Sequence, residues 1–120
     1  MVIQQGDIFW VNLRQLSGSE PGFRRPYVVV QNNIFNASKI NTVVVCALTT
    51  NLFRGTAPGN VTLNKGEANL PEKSVVNISQ VITLDKRVLA EKIGTLSKSR
   101  IDEIIDGLKL LLEPRELEDG

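Results

Sequence analysis

The sequence predicts an α+β chain: a small, strongly bent antiparallel sheet or barrel, packed against one amphipathic helix. Three observations predict it. Short segments rich in β-branched residues follow one another closely between residues 7 and 96, with turn-forming clusters between them. From Lys98 to Glu113 the apolar residues instead recur at helical spacing. No repeat, linker or low-complexity stretch divides the 120 residues, so one domain spanning 1–120 is expected.

The first strand is Asp7-Ile8-Phe9-Trp10-Val11-Asn12-Leu13, preceded by Gly6 as a turn signal. Asp7 is read as a turn residue that hydrogen-bonds its own backbone. Pro26-Tyr27-Val28-Val29-Val30-Gln31 is nearly all apolar, which predicts a buried central strand with Pro26 as its first residue. Asn32 to Ser38 is a short helical turn capped by Asn32 or Asn33. Thr42-Val43-Val44-Val45-Cys46-Ala47-Leu48 is another buried strand, in which Cys46 is a small hydrophobe rather than a nucleophile. Asn60 to Leu63 and Ser74 to Ile78 are shorter strands, and Gln80 to Leu84 continues the latter after a bulge. Lys92 to Leu96 is the last strand. In the helix, Ile101, Ile104, Ile105, Leu108, Leu111 and Leu112 form one stripe that must be buried against the sheet or a partner. Ser97 or Ser99 caps its start and Pro114 ends it.

Composition excludes several chemistries. The chain has no histidine and one cysteine, so it holds no internal disulfide and no zinc site of the usual N/S type. Every mechanism that uses an imidazole as acid or base is excluded as well. No carboxylate spacing resembles a two-metal or calcium loop, and no metal or cofactor is expected. The longest apolar run, Val43 to Leu48, is far short of the roughly 20 residues of a membrane span, and the start lacks a leader pattern. A cytoplasmic protein without membrane contact is therefore expected.

The net charge of +1 conceals an uneven distribution. Residues 1–60 hold five basic and two acidic residues, net +3, whereas residues 61–120 hold nine basic and eleven acidic, net −2. A polyanion would favour the first half. There the loop Ser17-Gly18-Ser19-Glu20-Pro21-Gly22-Phe23-Arg24-Arg25 places two arginines directly before a buried strand. An arginine fork suits phosphate, although arginines in a turn also serve solubility alone. Thr49 and Thr50 close a buried strand, where they either present hydroxyls or express β-propensity. Asn77, Ser79 and Gln80 cluster at the bulge, where amides either read base edges or satisfy backbone groups.

Several segments in combination resemble the MazF/PemK family of toxins. They are Gly6-Asp7-Ile8-Phe9-Trp10-Val11, Gly18-Ser19-Glu20-Pro21-Gly22-Phe23-Arg24-Arg25-Pro26 and Val28-Val29-Val30-Gln31-Asn32. The likeness continues through Ala47-Leu48-Thr49, Ser74-Val75-Val76-Asn77, Ser79-Gln80 and Leu84-Asp85-Lys86, so it covers nearly the whole chain. Members of that family are sequence-specific endoribonucleases of bacterial toxin–antitoxin systems. The resemblance implies an SH3-like barrel decorated by helices and assembled as a homodimer. It implies metal-independent cleavage of single-stranded RNA, leaving a 2′,3′-cyclic phosphate and a 5′-hydroxyl. It also implies a cognate antitoxin, through which alone the toxin would contact DNA.

Carried over residue by residue, the resemblance makes Arg25 and Thr49 catalytic, with Ser19 and Glu20 near the scissile phosphate; in a chain without histidine, Glu20 is the nearby candidate base. Asn77 and Gln80 become RNA contacts, joined by Arg24, Thr50 and Ser79. The family loop usually reads Gln then Gly-Gly, whereas this chain has Pro21 and Phe23, and Phe23 offers a ring that either stacks on a base or packs on the barrel. Ile82 stands where relatives often carry a basic residue. Two other readings share the fold. A gyrase-poisoning toxin carries a tryptophan near the end of its last helix, whereas Trp10 is the only one here. A non-catalytic SH3-like binding module would have no need of both Arg25 and Thr49.

Overall fold

The computed structural model describes residues 2–12 and 24–117. Six strands form one curled antiparallel sheet: β1 (Asp7–Asn12), β2 (Arg24–Val29), β3 (Thr42–Thr49), β4 (Val61–Leu63), β5 (Ser74–Asp85) and β6 (Leu89–Thr95), in the spatial order β4-β5-β3-β2-β1-β6. Two α-helices accompany it, α1 (Asn33–Asn36) after β2 and α2 (Lys98–Leu112) at the end. Caps explain where both helices begin. The Asn32 carboxamide accepts from the amides of Ile34 and Phe35 at 3.0 and 3.2 Å, and the Ser97 hydroxyl accepts from the Arg100 amide at 3.3 Å.

The unbroken apolar runs of β2 and β3 reflect burial on both faces. Side chains alternate along a strand. Val28, Cys46 and Leu48 therefore join Ile8, Leu63, Val76, Ile78 and Ile104 of α2 in one core. Tyr27, Val29, Val43, Val45 and Ala47 join Phe9, Val11, Leu84 and Leu89 in a second core on the opposite face. Cys46 is fully buried, and that burial pushes its thiol pKa up to about 12, which keeps it protonated and inert at neutral pH.

Three sequence expectations change. Pro26 is the third residue of β2, not the first, and pairs with Trp10 of β1. It is tolerated there because the ladder to β3 begins only at Tyr27, leaving β2 one neighbour at that point. Asp7 does bond locally, accepting the Gln4 amide at 2.9 Å, but its carboxylate also takes the Thr95 hydroxyl at 2.6 Å and the Lys92 ammonium at 3.3 Å. It thereby ties β1 to β6, and these partners compensate a carboxylate with no exposed surface. The last strand starts earlier than expected, at Leu89.

The helix stripe is only partly covered. Ile104 is buried and Ile101 and Leu108 pack beside it, but Leu111 and Leu112 are 45% and 74% exposed. Contact of α2 with the turn before β4 depends on two glycines. A Cβ on Gly107 would collide with the carbonyl oxygen of Gly59, itself in the left-handed region at φ +78°.

β5 is the irregular element. Its residues Val81 to Asp85 pair with Cys46 to Thr42 of β3, and Val75 to Asn77 pair with Thr49 to Ala47. Between these stretches Ile78, Ser79 and Gln80 have no partner on β3, so the expected bulge is present and three residues long. Among the described residues no helix is long and apolar enough to cross a membrane.

Candidate active site

The site forms where β2 and β3 part. Their last pair is Tyr27 with Ala47, and continuing the register by two places sets Arg25 opposite Thr49, on the face that Tyr27 and Ala47 bury further in. A cleft of about 280 Å³ opens at this point, lined by Arg25, Thr49, Thr50, Trp10, Glu72 and Ser74 among others. The two candidate catalytic residues are thus brought together by strand register, across 24 residues of sequence.

Their environments suit chemistry. Arg25 is half-buried, and among the described residues its guanidinium has no ion pair or hydrogen bond. Its fork is free for an anion. The Thr49 hydroxyl oxygen accepts the Asn51 amide at 3.1 Å. That bond orients the side chain while leaving the hydroxyl hydrogen to be donated. Thr50 is exposed at the rim.

Arg24 has a different role from its neighbour. Alternation turns it to the other side of β2, where its guanidinium lies 4.5 Å from the centre of the Trp10 ring and 3.9 Å from the Glu91 carboxylate. Both members of that ion pair are more than half exposed, so the contact is worth little by itself. Both residues line the 280 Å³ cleft, so ring and guanidinium together make a flat cationic wall of it.

A second depression, of about 350 Å³, lies on the other side of Arg25 and is lined by Tyr27, Ser79, Gln80 and Ile82. Ser79 and Gln80 are exposed members of the bulge. Asn77 is buried instead, and its carbonyl oxygen accepts the Ser79 hydroxyl at 3.1 Å and the Asn60 amide at 3.4 Å. The Asn60 carbonyl oxygen accepts the Ile78 amide at 2.8 Å, which the bulge would otherwise orphan. The three polar residues of the cluster therefore divide the work: Asn77 holds Ser79, while Ser79 and Gln80 face outward.

Ser19, Glu20 and Phe23, with Pro21, lie outside the described residues. The cleft includes three residues the sequence did not single out for chemistry: Trp10, Glu72 and Ser74. Asn60, which anchors the bulge, was likewise read only as the start of a strand. Trp10 and Asn60 become meaningful through partners distant in sequence, so no local pattern marks them. Among the described residues no group of three or more Cys, Asp or Glu side chains could hold a metal ion. Among the described residues the arrangement offers an Arg25 guanidinium without a partner and hydrogen-bonding hydroxyls between two adjoining depressions. Such a site can hold an oxyanion and stabilise charge developing on it.

Comparison with known proteins agrees on one family. Residues 4–112 match the PemK-like, MazF-like toxins of type II toxin–antitoxin systems. Endoribonuclease MazF6 of Mycobacterium tuberculosis is 38% identical over 113 residues, covering 94% of this chain and 99% of its own. The crystal structure of MazF from Deinococcus radiodurans superposes with a TM-score of 0.72 at 27% identity, covering 95% of this chain and 99% of that one. A mycobacterial endoribonuclease in complex with its cognate antitoxin gives a TM-score of 0.74 at 24% identity over 95% of this chain and 99% of its own.

Proposed function

We propose how a chain that belongs to the PemK-like, MazF-like toxins of type II toxin–antitoxin systems, and is an endoribonuclease as its relatives are, cuts RNA. Single-stranded RNA crosses both depressions with its scissile phosphate at Arg25, and the cut leaves a 2′,3′-cyclic phosphate and a 5′-hydroxyl. The guanidinium of Arg25, unpaired among the described residues, shared by the two depressions and opposite Thr49, is the observation that carries this reading. Arg25 takes the charge that builds on the non-bridging oxygens, and the Thr49 hydroxyl donates to one of them. With no histidine in the chain, Glu20 is the candidate base for the 2′-hydroxyl. Ser19 lies near the same phosphate. Thr50 and Arg24 hold the strand on one side, Ser79 and Gln80 on the other, with Asn77 positioning Ser79 and Phe23 stacking on a base.

The whole chain, 1–120, acts as one unit of the SH3-like barrel type and works as a homodimer in the cytoplasm. Its cognate antitoxin covers the RNA site, and contact with DNA comes only through that antitoxin. The exposed apolar residues Val2, Ile34, Phe35, Leu111 and Leu112 leave surface for a second copy and for the antitoxin.

The test is direct. Purified protein incubated with a long single-stranded RNA in excess EDTA yields discrete fragments ending in cyclic phosphate. Intact RNA, or cleavage that returns only with magnesium, overturns the mechanism.

A further inference from the structure

Building on that reading, we infer that Tyr27 is a specificity-determining residue. Its hydroxyl lies in a pocket that takes one nucleobase beside the scissile phosphate, and it hydrogen-bonds the edge of that base. The pocket is the 350 Å³ depression, lined by Arg25, Tyr27, Ala47, Ser79, Gln80 and Ile82 among others.

Strand geometry puts the phenol and the guanidinium on one side of the sheet. Side chains alternate along β2, so Tyr27 and Arg25 share a face, with Cα atoms about 6.6 Å apart. Across the ladder Tyr27 faces Ala47 of β3, and Ala47 faces Asn77 of β5. The Asn77 carbonyl oxygen in turn holds the Ser79 hydroxyl at 3.1 Å. A single row of register therefore runs from the phenol to the bulge, next on that face to the row of Arg25 and Thr49. Its middle residue is an alanine, whose methyl group is too short to fill the space between Tyr27 and the bulge.

The hydroxyl is left without a partner. The Tyr27 ring packs in the core with Phe9 and Val45, and the residue keeps only 6% of its surface. Among the described residues its hydroxyl makes no hydrogen bond, yet no buried side-chain nitrogen or oxygen there lacks one. The small exposed remainder must therefore include the phenol oxygen, which opens into the depression that Tyr27 lines. A tyrosine this deeply buried ordinarily finds a partner for its O–H within the fold. Here the partner comes with the ligand. A phenol both donates and accepts, so it separates a base edge that answers it from one that does not. Bases turned out of a single strand are read on such edges. A volume at the small end of ligand pockets suits a single base.

The test compares wild type, Tyr27→Phe, Ser79→Ala and Gln80→Ala on a long single-stranded RNA in EDTA. Every cut is mapped by primer extension, and kcat/KM is measured at each site. Tyr27→Phe keeps the ring and loses no described bond, so its melting temperature matches wild type. Its kcat/KM is expected to fall about tenfold at the preferred sites. Sites that differ from these at one position beside the cut gain in relative use. An unchanged cut map overturns the inference. So does an equal loss at every site, as a contact to the sugar-phosphate backbone would give, or a lowered melting temperature, which would give the hydroxyl a partner within the fold. A map shifted by Tyr27→Phe but not by Ser79→Ala or Gln80→Ala upholds the inference and removes those two residues from the RNA contacts. A wild-type protein that leaves RNA intact overturns this inference together with the reading beneath it.

Discussion

Arg25 and Arg100 are the same residue in opposite circumstances. Arg100 sits in the first turn of α2 and is saturated: its Nε and Nη2 donate to the two Glu67 oxygens at 2.9 and 3.0 Å, and its Nη1 donates to Glu103 at 3.0 Å. These bonds raise its own pKa and lower that of Glu67, whose carboxylate also accepts the Asn64 amide at 2.6 Å. They fasten α2 to the turn between β4 and β5. Arg25 stands at the mouth of two depressions with nothing described paired to it. A guanidinium whose donors are all used holds the fold together; one whose donors are unused is held ready for a ligand.

Substitutions should separate the two roles. Arg25→Ala is expected to reduce RNA cleavage by about 10²–10³-fold or more. Its stability should stay within about 0.5 kcal/mol of wild type, because no described bond is lost. Arg25→Lys keeps the charge but not the fork, and in a cleavage assay it should recover only part of the rate. A large drop in melting temperature for Arg25→Ala would break the comparison.

Arg100→Met should do the reverse, costing about 1–2 kcal/mol in denaturant unfolding while kcat stays near wild type. Thr49→Val is the intermediate case. Loss of one hydrogen bond to the charged phosphate corresponds to about 10–10²-fold in kcat, with the strand retained by β-propensity.

The smallest effect is on pH dependence. Glu67 has a lowered pKa in the folded chain, so its contribution is complete above the ordinary carboxylate range, about 4.3, and is lost as pH falls through the lower folded value. Melting temperature followed from pH 6 downward should therefore fall less steeply in Glu67→Gln than in wild type.

Much of the fold is legible in the sequence because burial on both faces leaves unbroken runs such as Val28 to Val30 and Val43 to Leu48, and because caps such as Ser97 are local chemistry. The bulge also shows, since Ser79 and Gln80 interrupt an otherwise apolar strand. The site was legible in part. Arg25 and Thr49 stand at the ends of recognisable strands, and the resemblance singled them out. Trp10, Asn60 and Glu72 were not legible. Trp10 acquires its meaning from Arg24, Asn60 from the Ile78 amide, and Glu72 from the cleft that residues 25 and 49 open. Those meetings follow from register between distant segments, which neither spacing nor composition records.

The bulge in β5 has a consequence for how such a protein changes over time. Arg25 and Thr49 are placed by the ladder that also aligns both cores, so neither can move without disturbing the sheet. Ser79 and Gln80 are placed by an insert without a partner on β3, held by the side chains of Asn60 and Asn77. Replacing them alters the wall of one depression at almost no energetic charge to the fold. If Ser79 and Gln80 read the RNA as proposed, its preference can drift at these two positions while the pair Arg25 and Thr49 stays the same.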